Sequence, residues 1–143
     1  MIRGSDFIEL VKKYYRFLVD EMKYIESDIT NREGLFYDVE YKKNDSIISI
    51  SYENRENFLQ VILFKLKDGR RPDYDDKQST IHLDKLNQTL IKTLNNGEFK
   101  ENDSYFASIT TSSNFEYKLF KLAKELRLCL KYTDILTEQI KSL

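Results

Sequence analysis

Few side chains in this sequence could make or break bonds, and they are scattered. His82, in STIHLDKL, is the single histidine, and Cys129, in ELRLCLKY, is the single cysteine. A Ser-His-Asp or Cys-His arrangement would have to be built on that one imidazole, because a base must take the nucleophile's proton. His82 opens a helical pattern in which Ser79 or Thr80 stands ready to cap and Asp84 falls in the first turn. Cys129 lies on the apolar stripe of the last helical pattern, where a thiol behaves as a small hydrophobe. The spacing reads as a capping histidine and a core cysteine.

Metal and phosphate chemistry are no better supplied. Structural zinc takes four N or S ligands, and one His with one Cys cannot furnish them. DYDDK gathers Asp73, Asp75 and Asp76, oxygen donors of the type hard cations take, but without the glycine and distal glutamate of an EF-hand loop. The four glycines, at 4, 34, 69 and 97, form no phosphate cradle. A hydrolase would need paired carboxylates. Asp38 with Glu40 on one strand, or Glu53 with Glu56 around a turn, read more simply as a polar sheet face and a soluble turn. No catalysis, cofactor or metal is expected.

The composition narrows the remaining choices. At 143 residues with 41% hydrophobic and 33% charged side chains, the chain is expected to form one domain over 1–143. The net charge of -1, from 23 basic and 24 acidic residues, holds no excess of cations for nucleic-acid binding. No apolar run approaches the roughly 20 residues a bilayer requires. With MIRGSDFIEL carrying no signal-peptide core and with a lone cysteine, a cytoplasmic protein is expected.

These residues need elements to position them. Apolar residues recur at helical spacing from Ser5 to about Ile29, through Phe7, Val11, Leu18, Met22 and Ile25, which predicts a long first helix capped by Ser5. The period then falls to two. Tyr37, Val39 and Tyr41 share one face of LFYDVEYK, and Asp38 and Glu40 its reverse. In SIISISYE, Ile48, Ile50 and Tyr52 lie opposite Ser49 and Ser51, while FLQVILFKL is apolar on both faces. KND, NREN and KDG are the turns.

An α+β fold follows: a long N-terminal helix, a three-stranded antiparallel meander, then two or three helices on one sheet face. The helical pattern of 82–94 ends at NNG. Residues 98–111 lean to helix, with Asp103 or Ser104 as cap, and the last helix starts near Ser113. Helices on one side of a meander leave its other side to solvent.

With chemistry sparse, surface is what remains. Ten tyrosines and no tryptophan offer rigid contact area with polar tips, though most would lie half-buried with wet hydroxyls. The expected protein-docking area is the bare sheet face and its turns: Asp38, Glu40, Tyr52, Glu53, Arg55, Glu56 and, in the acidic loop, Tyr74, Asp75 and Asp76. A pocket for a small ligand or peptide, lined by Phe36, Tyr117 and Phe120, is the alternative.

The run FYDVEYKKNDSIISISYENRENFLQVILFKLKDG, followed by IHLDKL, resembles small immunity-type proteins of bacterial polymorphic-toxin and contact-dependent inhibition systems. The residues that carry the likeness are Tyr37-Val39-Tyr41, Tyr52-Glu53 with Arg55-Glu56, Phe58 to Leu66, Asp68-Gly69, and Leu83 with Leu86. It spans about residues 7 to 94. The resemblance implies a protein that binds one toxin stoichiometrically and blocks its active site or its access to target. Immunity proteins that neutralise nucleases are often strongly acidic, and a charge of -1 departs from that pattern.

Overall fold

A computed structural model describes residues 2–72 and 79–132. The chain is α+β, with a five-stranded antiparallel sheet in the order β1-β2-β3-β4-β5. Its elements are α1 (Gly4–Tyr14), α2 (Phe17–Asp20), β1 (Ile25–Arg32), β2 (Phe36–Lys43), β3 (Ser46–Glu53), β4 (Phe58–Lys65), β5 (Thr80–His82), α3 (Leu83–Leu90), α4 (Asn96–Tyr105) and α5 (Asn114–Tyr132).

The expected long first helix is corrected. It stops at Tyr14, a short second helix follows, and Lys23 takes a left-handed backbone (φ 66°) that turns the chain away. Residues 25–32 then form an edge strand paired with β2. Met22, Ile25 and Ile29 fall at helical spacing by coincidence. Ser27, Asp28, Thr30 and Asn31 are poor helix formers, and that was the available signal. Nor does Ser5 cap: Arg3 holds the cap position, and Glu33 accepts the Gly4 N–H at 2.8 Å instead.

The expected three-stranded meander forms β2, β3 and β4, with β1 and β5 added at its edges. Its turns fall on KND, NREN and KDG. In the last of these, Asp68 (φ 52°) and Gly69 (φ 75°) adopt the left-handed pair that a two-residue hairpin requires, closed by two 2.9 Å bonds between Lys67 and Arg70. Thr80 pairs with Phe64 in β5 rather than capping a helix, and His82 holds the cap position of α3 without a side-chain bond.

NNG begins a helix as much as it ends one. The Asn95 side chain accepts from the Glu98 N–H while Glu98 reaches back, a capping box that starts α4. The helical leaning of 98–111 therefore holds to Tyr105, from a cap upstream of Asp103 and Ser104.

Period two selects the core. Tyr37, Val39, Tyr41, Ile48, Ile50, Tyr52, Val61 and Leu63 pack beneath Phe7, Val11 and Tyr14 of α1, Leu83 and Leu86 of α3, and Leu119, Ala123 and Leu126 of α5. Among the described residues, six tyrosines are buried rather than half-wet: 14, 15, 24, 37, 41 and 52. Buried phenols need partners. Tyr15 donates to the Leu119 carbonyl at 3.1 Å, Tyr14 to Glu116 at 3.2 Å and Tyr37 to Glu33 at 2.7 Å.

Candidate functional site

Strand alternation puts Asp38 and Glu40 on the reverse face of β2, facing Ser51 and Ser49 of β3. The expectation that this face is bare is corrected, because all four residues are buried and Asp38 is only 3% exposed. Arg71 reaches into this face. Its Nη1 donates to Asp38 at 2.9 Å and makes a close ion pair with Glu40, and its guanidinium lies 4.3 Å from the centre of the Phe64 ring. Ser49 donates to the other Asp38 oxygen at 2.6 Å. Burial pushes the Glu40 carboxyl up, and the Arg71 charge pulls it back. Ile47, Ile62, Phe64 and Leu66 form a second small apolar cluster.

Tyr52 is also inside. Its ring lies 4.8 Å from that of Phe115, and its hydroxyl donates to Asn57 Oδ1 at 2.7 Å. It braces the β3–β4 turn from below, where Asn57 needs a left-handed backbone (φ 50°). Glu53 braces the same turn from above, its two oxygens accepting the N–H groups of Arg55 (3.2 Å) and Glu56 (2.6 Å). The Asn54 N–H donates to the Leu35 carbonyl at 2.9 Å, which ties this turn to the β1–β2 turn beside it. Two hairpin tips thus form one braced unit.

That unit is open to solvent and chemically mixed. Cross-strand pairing sets Phe36, Glu53 and Phe58 in one row over three strands. With Glu56 and Gln60 they line a cleft of about 470 Å³. Phe58 is 52% exposed and Leu35 50%. Large apolar residues held at a rigid tip lose little ordering entropy when they are contacted. Of the expected docking residues, Glu53, Arg55 and Glu56 gather here. Asp38 and Glu40 sit deeper in the same sheet face, and Tyr74, Asp75 and Asp76 lie outside the described residues. Sequence reading missed the contribution of Phe58 and Leu35, each of which begins or precedes a strand as an ordinary hydrophobe.

Sequence reading missed a second polar cluster altogether. Arg127 projects from α5 into a fully buried position, where Glu21, Glu101 and Asn102 accept its N–H groups and the Tyr105 ring lies 4.0 Å away. No spacing rule marks an arginine inside an apolar stripe as one that two distant segments will enclose.

The one thiol has the surroundings of a core residue. Cys129 is buried and hydrogen-bonds Asn87 Oδ1 at 3.3 Å, and burial, with the Glu125 charge, pushes its thiol up to about 12. A thiol so raised is not a thiolate at neutral pH. Among the described residues no group of three or more His, Cys, Asp or Glu could hold a metal ion, and no helix is long and apolar enough to cross a membrane.

Phe36, Tyr117 and Phe120, the alternative pocket, are not brought together. Phe36 lines the tip cleft, while Tyr117 and Phe120 line another of about 600 Å³ between α4 and α5. No family model matches the chain, and no curated protein or solved structure shows significant similarity to it.

Proposed function

We propose that the protein is a non-catalytic, protein-binding inhibitor of the immunity type, which neutralises a cognate bacterial toxin by stoichiometric contact through its hairpin tips. The observation that supports this reading most directly is the pairing of half-exposed Phe58 and Leu35 on two tips bonded to each other. Apolar anchors ringed by charges are the pattern of an interface hot spot. The braced turn adds preorganisation, and the resemblance of the hairpin sequence to immunity-type proteins agrees with it. Co-expression with the products of adjacent genes tests the proposal. A one-to-one complex that survives size exclusion and is lost in the Leu35→Ser, Phe58→Ser double variant is expected. No complex, or one indifferent to both substitutions, overturns it.

A small-ligand module is the second reading, favoured by the cleft between α4 and α5. Its wall of Ile91, Phe99, Ile109 and Phe120 is apolar, and Lys121 and Lys124 line it beside their ion-pair partners Glu125 and Asp103. Thermal stabilisation by a small apolar molecule, lost on Phe120→Ser, would select this reading over the first.

A further inference from the structure

We propose that the hairpin-tip cleft is a receptacle for an arginine side chain presented by the protein partner, an inference that rests on the protein-binding reading above. The chain itself shows what such a receptacle looks like. Arg71 lies against the Phe64 ring and between the carboxylates of Asp38 and Glu40. Arg127 lies against the Tyr105 ring and is held by the carboxylates of Glu21 and Glu101. Each time, one aromatic face and two carboxylates surround one guanidinium.

The tip cleft repeats that set at the surface. Among the described residues its lining is Phe36, Phe58, Glu53, Glu56 and Gln60, none of them basic. Arg32 pairs with Phe36 at the outer end of the row and Arg55 sits in the turn, but neither lines the cleft. Glu53 stands between the two phenylalanines, each one strand away. Two strand spacings place their Cα atoms about 10 Å apart, with Glu53 on the same face between them, so the cleft offers an aromatic ring on either side of a carboxylate.

Arginine fits this better than lysine. A guanidinium is flat, stacks on aromatic faces and offers a fork of donors to carboxylates, whereas an ammonium is a compact, strongly hydrated point charge. Glu53 already accepts two backbone N–H groups, yet a carboxylate has about four acceptor sites. The Gln60 amide oxygen supplies one further acceptor. The occupant is therefore a cationic, planar side chain from a partner whose contact surface is basic at that point.

The test is an NMR titration of the full chain with N-acetyl-arginine amide, against its uncharged isostere N-acetyl-citrulline amide. Saturable shifts are expected at residue 36 and residues 53–60, with citrulline binding at least about fivefold more weakly. Phe58→Leu and Glu56→Gln should each weaken arginine by a similar factor and leave the remaining spectrum unchanged. Shifts elsewhere, equal response to citrulline, or indifference to both substitutions overturns the inference. A toxin complex that forms while arginine fails removes this inference alone. Arginine binding at the tips without any complex removes the functional reading and leaves the receptacle standing.

Discussion

Arg127 and Glu21, 106 residues apart in the chain, meet as a forked ion pair with Nε to Oε1 and Nη2 to Oε2 both at 2.9 Å. The guanidinium is completely buried while its carboxylate partners keep partial access to solvent. It joins the end of α2 to α4 and α5. Replacing it by leucine should destabilise the fold by about 2–4 kcal/mol, because the Asn102 oxygen loses its Arg127 donor and the two carboxylates are left with Lys131. Arg127→Lys should recover little of that, since an ammonium cannot fork. Urea denaturation of the three proteins checks both expectations.

The same cluster sets an acid limb. The hydrogen bond from Arg127 is the main cause holding Glu21 and Glu101 below the ordinary glutamate value of 4.5. Unfolded, these carboxylates take up protons more readily than when folded. Their contribution is complete above about pH 4.5 and is lost as pH falls through the lower folded values. Chemical denaturation between pH 3 and pH 7 should show this fall in the wild type, and Arg127→Leu should flatten it.

Glu40 works in the opposite sense. Burial raises it, so the folded protein holds that proton more readily than the unfolded chain, and lowering the pH from neutral relieves the burial of charge. Arg71→Met leaves Asp38 and Glu40 inside without their countercharge. A loss of about 2–3 kcal/mol is expected at pH 7, shrinking as the pH is lowered from there and Glu40 protonates. A loss that is constant as the pH falls would show that Arg71 acts through packing on Phe64.

At the hairpin tips, stability and recognition should separate. Phe58→Ser and Leu35→Ser remove half-exposed side chains and should each change stability by less than about 0.5 kcal/mol. Their effect should appear in partner affinity. Tyr52→Phe and Glu53→Gln differ, because both residues brace the turn. Each should cost about 1 kcal/mol in thermal or urea unfolding, and Glu56→Gln should cost nothing measurable.

Leu18 and Ile62 are fully buried on different sides of the structure, Leu18 in the main core and Ile62 in the small cluster behind the sheet. Truncation of either to alanine should cost about 2–5 kcal/mol. Comparable losses at the two sites, measured by denaturant titration, would establish that the reverse face is a true second core.

Local pattern alone determined the meander of β2, β3 and β4, its three turns, the inward set of Tyr37, Val39, Tyr41, Ile48 and Ile50, and the last helix. Each of these depends on residues within one element, and a period of two or 3.6 records which side each residue takes. Tertiary structure decided the rest. Ser49, Ser51, Asp38 and Glu40 have the alternation of a solvated face, yet they are buried, and Arg71 arrives 31 and 33 residues later to bond Glu40 and Asp38 there. Met22, Ile25 and Ile29 continue a helical spacing that Lys23 interrupts, and pairing with β2 turns that segment into a strand. A repeat in sequence reports which side a residue takes, and what covers that side comes from elsewhere in the chain.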